Sequence, residues 1–264
     1  MALLHVDYFS FVLGMEMQMD VILPETTRGQ IGMEGRDGGG RWPTLYLLHG
    51  MSDDHTIWQR RTSIERYAAD KGIAVVMPTT HLGWYTDMYR GLKYFTATAL
   101  ELPKSCQQMF PNLSPRREDT WAAGLSMGGY GALKCALRAP EVFSRAASLS
   151  GGVDAEAVAT RLNDESRKGY WRDVFGPPES IRGSVNDLFA AASQLKDSPL
   201  RPEIYMWCGT EDFLYDQNVR MRDHLRALGY PLRYEESPGD HQWKYWDAKI
   251  QTVLDWLVPD DKEA

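Results

Sequence analysis

The chain has 264 residues, of which 43% are hydrophobic and 25% charged, so it is long enough to form one large α/β domain. We predict that residues 1–264 form that single domain. The formal net charge of −7 and the lack of any Lys/Arg run give no reason to expect nucleic acid or an anionic membrane as a partner.

The N-terminal residues 1–8 have neither a basic segment nor an apolar segment of the kind that signal peptides carry. No apolar run approaches the roughly 18 residues that a membrane span needs. These features predict a cytoplasmic protein. The three cysteines, Cys106, Cys135 and Cys208, lie far apart in apolar surroundings and are expected to be small buried hydrophobes, with no metal site and no disulfide framework.

The chain opens with two segments of alternating polarity, residues 4–13 and 15–23, which meet at Gly14 and predict an antiparallel hairpin. Residues 28–43 follow and are too rich in glycine for a packed element. They predict a mobile surface connection.

From Thr44 onward, short apolar runs alternate with helical patterns. Strands are predicted at residues 45–48, 73–76, 120–123, 146–149, 204–207 and 232–234, and helices near 57–70, 96–109, 130–137, 215–228 and 242–257. Such alternation predicts an α/β fold with a mostly parallel central sheet and helices on both faces. The alternation stops at 151–200, a stretch that we interpret as a small inserted lid or cap.

The sequence Gly124-Leu125-Ser126-Met127-Gly128 lies between a predicted strand and a predicted helix. A serine on a sharp strand-to-helix turn exposes its hydroxyl above the sheet, and flanking glycines allow the backbone to pack closely there. This context predicts that Ser126 is a nucleophile.

Asp212 follows the strand at 204–207, and His241 follows the strand at 232–234. An imidazole that takes the serine proton needs a carboxylate to orient it, and Asp212 and His241 fit these two roles. The neighbouring Glu211, Asp216 and Asp240 remain alternatives for the acid. The chain order of serine, acid and histidine is that of α/β-hydrolases.

Acyl transfer also needs backbone N–H groups that stabilise the oxyanion of the tetrahedral intermediate. Met127, directly after Ser126, is positioned to supply one. The loop after the first parallel strand, His49-Gly50-Met51, is expected to supply the second from Met51.

Four segments together resemble the esterase D-type α/β-hydrolases: residues 46–51, 123–133, 208–214 and 239–243. Within them the chain is most similar to the bacterial tributyrin esterases and the cinnamoyl (feruloyl) esterases. The resemblance implies a cytosolic carboxylesterase with the triad Ser126, Asp212 and His241, oxyanion donors Met51 and Met127, and no cofactor. It implies hydrolysis of neutral short-chain acyl or hydroxycinnamoyl esters through an acyl-enzyme on Ser126.

Several side chains are candidates for binding the small-molecule ester. They are His49 and Gly50 beside the oxyanion loop, Trp84 and Tyr85 after the strand at 73–76, and Trp171 and Phe175 in the predicted lid. Aromatic residues at these positions could equally pack the lid onto the core. The sequence leaves a homo-oligomer open.

Other activities on the same fold are less favoured. S-formylglutathione hydrolases typically carry a cysteine shortly after the His-Gly turn, where this chain has Ser52 and Asp53. Mycolyltransferases are exported proteins, and no motif signals a peptidase. A non-catalytic binding module usually lacks a member of the triad, and all three are present here.

Overall fold

The computed structural model describes residues 1–27, 29–32, 35–36, 40–161 and 169–259. These residues contain one eight-stranded sheet with the strand order β1-β2-β4-β3-β5-β6-β7-β8. The strands are β1 (Ala2–Ser10), β2 (Met15–Leu23), β3 (Thr44–Leu48), β4 (Ala74–Pro78), β5 (Thr120–Leu125), β6 (Arg145–Leu149), β7 (Glu203–Gly209) and β8 (Leu232–Ser237).

The two N-terminal strands form the predicted antiparallel hairpin, and β2 also pairs antiparallel with β4. Every other neighbouring pair, from β4–β3 to β7–β8, is parallel. The predicted mostly parallel sheet with an antiparallel N-terminal hairpin is therefore confirmed.

Helices cover both faces of the sheet, which confirms the predicted α/β-hydrolase architecture. They are α1 (Ile57–Arg61), α2 (Ile64–Lys71), α3 (Leu102–Met109), α4 (Met127–Arg138), α5 (Ala155–Arg161), α6 (Tyr170–Phe175), α7 (Leu188–Leu195), α8 (Tyr215–Ala227) and α9 (Trp243–Leu257). None of these helices, within the part of the chain that the structure describes, is long and apolar enough to cross a lipid bilayer.

The two faces of the sheet pack into two separate apolar cores. Successive residues of a strand point to opposite faces, so Tyr46 of β3 enters the first core and Leu45 enters the second. Helices α3 to α8 complete the first core, and α1, α2 and α9 complete the second. Cys106 and Cys135 are buried in the first core and Cys208 is buried in β7, as the apolar surroundings predicted.

Two predicted helices differ in detail from the structure. The helix predicted near 57–70 is interrupted at Thr62, where the hydroxyl donates to Trp58 O at 2.6 Å and accepts from Ile64 N–H at 3.1 Å. A side chain that bonds the backbone in this way competes with helical hydrogen bonds. The helix predicted near 96–109 begins as a π-helix, Thr96–Glu101, with Leu102 N–H donating to Ala97 O.

The segment between β6 and β7 contains α5, α6 and α7. Residues 162–168 of this predicted lid lie outside the described residues, as do 28, 33, 34 and 37–39 of the predicted mobile connection. The roles of both segments remain predictions.

The candidate site lies beside β3, where the order of the strands changes direction along the sheet. From β3 the chain crosses to β4 on one side and later returns to β5 on the other side. The loops after β3 and β5 therefore diverge at the carboxyl edge of the sheet, which is where open α/β sheets bind ligands. These two loops carry Met51 and Ser126.

Candidate active site

Ser126 occupies a strained turn between β5 and α4. Its backbone has φ 51° and ψ −116°, a conformation that residues with a side chain rarely adopt. A Cβ on Gly124 would collide with the Gly128 backbone, and a Cβ on Gly128 would collide with the Leu48 carbonyl group. The two glycines of the motif are therefore steric requirements of this turn.

The same turn is fixed by hydrogen bonds to neighbouring strands and loops. Ser126 N–H donates to Leu149 O at 3.0 Å, and Gly152 N–H donates to Ser126 O at 3.1 Å. Helix α4 begins at the next residue, Met127. The Met127 N–H thus lies in a first helical turn, where backbone donors lack intrahelical acceptors and the helix dipole favours negative charge.

The loop after β3 approaches Ser126 closely because it contains glycine. A Cβ on Gly50 would lie 2.7 Å from Leu125 Cδ1 and 3.8 Å from Ser126 Cβ. Asp53 N–H donates to Gly50 O at 3.3 Å, and Ser52 has a φ of 69°. This tight turn carries Met51, the second predicted oxyanion donor, to the edge of the site.

His49 and Tyr85 support this loop from behind. Thr80 N–H donates to His49 Nε2 at 2.9 Å, His49 Nδ1 lies 2.7 Å from Gly50 O, and Tyr85 OH donates to His49 O at 3.0 Å. Burial lowers the pKa of His49 to about 4, so the imidazole is neutral and Nδ1 donates to Gly50 O. Both side chains were predicted to bind substrate, but the structure buries them outside the cavity wall.

Asp212 and His241 meet across the loops that follow β7 and β8. His241 Nδ1 lies 2.8 Å from Asp212 Oδ2, and Asp212 Oδ1 accepts from Leu214 N–H at 2.9 Å. The alternative carboxylates are engaged elsewhere or exposed. Glu211 accepts hydrogen bonds from Thr210 and from the Gly239 backbone, Asp240 accepts from Gln242, and Asp216 lies on the surface.

Two aromatic rings enclose His241. Its ring centroid lies 4.6 Å from that of Phe213 and 4.8 Å from that of Trp246. The Asp212 side chain is fully buried, whereas the His241 side chain retains 19% of its exposure. The imidazole therefore connects a buried carboxylate to an accessible cavity.

A cavity of about 510 Å³ joins these residues. Its lining comprises Gly50, Met51, Ser52, Asp53, Trp84, Leu125, Ser126, Val158, Phe213, Leu214, His241, Trp243 and Trp246. Trp84 and Val158 belong to the first core, and Leu125, Trp243 and Trp246 belong to or pack against the second. The cavity thus opens at the boundary between the two cores.

Trp84 is the aromatic wall on the side of the first core, and other aromatic residues pack behind it. Its ring makes edge contacts with Tyr130, Trp171 and Phe175 at centroid distances of 5.9, 5.2 and 5.6 Å. Trp171 and Phe175, predicted to bind substrate, are buried and lie outside the cavity lining. Both contact Trp84, which does line the cavity.

Lys134 is a buried charged residue that sequence reasoning treated only as part of a helix. It projects from α4, and its Nζ donates to Asn186 Oδ1 at 2.6 Å and to the Thr86 hydroxyl. Burial lowers the pKa of Lys134 to about 7. These contacts connect α4 to the loop that carries Trp84 and to the loop before α7.

Comparisons with known proteins identify the family of the chain. A family model, Esterase, described as "Putative esterase", matches residues 10–257. The acetyl esterase of Caldicellulosiruptor saccharolyticus is 30% identical over 263 residues, covering 97% of this chain and 98% of that protein.

Two solved structures from Staphylococcus aureus are similarly close. FphF, a fluorophosphonate-binding serine hydrolase in a substrate-bound form, aligns with a TM-score of 0.86 and 34% identity, covering 98% of this chain and 99% of its own. The S-formylglutathione hydrolase FrmB aligns with a TM-score of 0.83 and 34% identity, covering 97% and 98%. The chain therefore belongs to the Esterase family of α/β-hydrolases and is an enzyme, a serine carboxylic ester hydrolase.

Proposed function

We propose that the enzyme hydrolyses neutral esters of short-chain or hydroxycinnamic acids through an acyl-enzyme on Ser126. The observation that carries this proposal is the position of His241, which contacts the buried Asp212 and lines the same cavity as Ser126. Nucleophile, base and orienting acid thus occur together, as nucleophilic catalysis requires.

In the proposed first step, His241 Nε2 takes the proton of the Ser126 hydroxyl as Oγ attacks the ester carbonyl carbon. Asp212 accepts the Nδ1–H of the imidazole, so it selects the productive tautomer and stabilises the imidazolium.

The tetrahedral oxyanion then accepts hydrogen bonds from the N–H groups of Met51 and Met127. The intermediate collapses with transfer of the His241 proton to the departing alcohol, which leaves the acyl group on Ser126. A water molecule, deprotonated by His241, repeats the sequence and releases the carboxylic acid. The acid, base and nucleophile are side chains, and the step needs no cofactor.

Three features support small neutral esters as substrates. Apolar and aromatic side chains dominate the cavity wall, and no Lys or Arg occurs in the described lining that could bind a carboxylate or a phosphate. The relative from Caldicellulosiruptor saccharolyticus is an acetyl esterase. Trp84 offers an aromatic surface for an acyl group, which keeps hydroxycinnamoyl esters within the proposed class.

Thioester hydrolysis is the second candidate, because FrmB is an S-formylglutathione hydrolase with 34% identity. Ser52 and Asp53 count against it, because S-formylglutathione hydrolases typically carry a cysteine at this point after the His-Gly turn.

The proposal is tested with p-nitrophenyl acetate, p-nitrophenyl butyrate, methyl ferulate and S-formylglutathione, using the wild-type enzyme and Ser126→Ala. We expect oxygen esters to give the higher kcat/KM, and we expect Ser126→Ala to lose about 10⁶-fold in kcat while keeping its melting temperature. Preferred turnover of S-formylglutathione would establish the second candidate. A folded Ser126→Ala variant with more than a tenth of wild-type activity would refute the nucleophile.

A further inference from the structure

The cavity contains one carboxylate that the proposed mechanism does not use. Asp53 is half-buried and is the only acidic residue in the described cavity lining. A Cβ on Gly50 would lie 3.0 Å from Asp53 Oδ2 and 3.8 Å from Ser126 Cβ. Gly50 thus lies between the Asp53 carboxylate and Ser126.

No cation neutralises Asp53 among the side chains that the structure describes. Arg60 and Arg61 influence the carboxylate only at a distance, and neither forms an ion pair with it or lines the cavity. Burial and the neighbouring Asp54 raise the pKa of Asp53, which is the behaviour of a carboxylate without a cationic partner. A negative charge here also opposes the oxyanion that the reaction forms.

Aromatic rings line the same cavity as Asp53. Trp243 makes edge contacts with Trp58 and Trp246 at centroid distances of 5.1 and 5.4 Å. Trp58 belongs to α1, which begins four residues after Asp53, and Asp53 and Trp243 both line the cavity. An unpaired carboxylate beside aromatic rings is the combination that binds organic ammonium groups.

We propose that Asp53 and the aromatic rings of this cavity bind an ammonium head group on the alcohol half of the ester, so that the enzyme accepts esters of amino alcohols as well as neutral esters. The proposal rests on the esterase function proposed above and specifies the substrate class of that same site. The ammonium neutralises Asp53 and so removes the repulsion between its carboxylate and the oxyanion. Because the oxyanion forms in the transition state, this interaction lowers the activation free energy.

The test compares acetylcholine with 3,3-dimethylbutyl acetate, in which a carbon atom replaces the quaternary nitrogen. The two esters have nearly the same shape and differ in one charge. The variant is Asp53→Asn, which keeps an oxygen that can accept the Gly50 backbone N–H. Asp216→Asn is the matched control, because it removes the same charge from an exposed residue outside the cavity lining.

We expect the ratio of kcat/KM for the cationic ester to that for the neutral ester to fall about tenfold in Asp53→Asn and to stay within twofold in Asp216→Asn. A ratio in Asp53→Asn within twofold of wild type, or an equal fall in both variants, would overturn the head-group site. In each of those cases hydrolysis of the neutral ester would still support the esterase function.

A binding measurement keeps the two proposals separate. Choline is titrated against Ser126→Ala and against the double variant Ser126→Ala/Asp53→Asn, with tryptophan fluorescence as the readout. Saturable binding that the second substitution weakens about tenfold is expected, whether or not any ester is hydrolysed. Binding that is absent, or identical in both variants, refutes the site, whereas a wild-type enzyme inert to neutral esters refutes only the esterase function.

Discussion

His241 Nδ1 lies 2.8 Å from Oδ2 of Asp212, whose side chain is fully buried. An asparagine at position 212 would present an amide that favours the wrong imidazole tautomer. We expect Asp212→Asn to lower kcat about 10⁴-fold on p-nitrophenyl acetate, the size of the corresponding effect in serine proteases, with little change in melting temperature.

Asp216→Asn and Asp240→Asn are the matched controls, because neither carboxylate contacts His241 in the structure. Each should retain kcat within about threefold, because the exposed Asp216 acts weakly through water and Asp240 accepts a hydrogen bond from Gln242. If either control lost more activity than Asp212→Asn, the assignment of the acid would be incorrect.

Gly50 allows the loop after β3, which carries Met51, to lie against the turn at Ser126. An alanine Cβ there would lie 2.7 Å from Leu125 Cδ1 and 3.0 Å from Asp53 Oδ2, so the loop must move. Displacing the Met51 N–H should cost about 10²-fold in kcat, the lower end for loss of one oxyanion donor. Gly14→Ala, in the distant hairpin turn, should leave kcat unchanged, and equal losses in the two variants would contradict this role.

Trp84 lines the cavity, whereas Phe175 packs behind it. Trp84→Leu should change the ratio of kcat/KM between butyryl and acetyl esters by about 10- to 100-fold, because a wall that touches the acyl group is removed. Phe175→Leu should lower the melting temperature and affect both esters equally. A change in acyl preference as large in Phe175→Leu would show that the segment between β6 and β7 contacts the substrate directly.

The lowered pKa of Lys134, about 7, predicts a pH dependence of stability. Between pH 7 and the ordinary lysine pKa of about 10.4, the unfolded chain binds a proton that the folded chain does not, so the free energy of unfolding rises with pH. Lys134→Met lacks this contribution. Urea unfolding at pH 7 and pH 9 should show the wild type gaining about 2 kcal/mol relative to the variant, and parallel profiles would contradict the buried, easily deprotonated lysine.

Much of the fold follows from patterns that are local in sequence. The runs that predicted strands overlap β3 to β8, with the run at 73–76 beginning one residue before β4. The strands inside the sheet were recognisable because buried parallel strands need continuous apolar segments. The break at Thr62 was not predictable from periodicity, because it depends on a hydroxyl that bonds the backbone on both sides. The π-helix likewise preserves the helical pattern while changing its hydrogen bonds.

Met51, Ser126 and His241 line one cavity, and His241 contacts Asp212, because the loops after neighbouring strands meet at one edge of the sheet. Of the candidate binding residues, only Gly50 and Trp84 line this cavity. Nothing local distinguishes Trp84, which lines the cavity, from its neighbour Tyr85, whose hydroxyl bonds the His49 backbone. Lys134 gave no signal either, because its partners Thr86 and Asn186 are 48 and 52 residues away in sequence.

The boundary position of the cavity has a consequence for how selectivity can evolve. Trp84 belongs to one apolar core and Trp243 packs against the other, although both line the same cavity. The aromatic rings that contact Trp84 differ from those that contact Trp243, so the effects of substitutions on the activation free energy should add to within about 0.5 kcal/mol. Substitutions at Trp84 and at Trp243 can then change the substrate preference of the enzyme independently of each other.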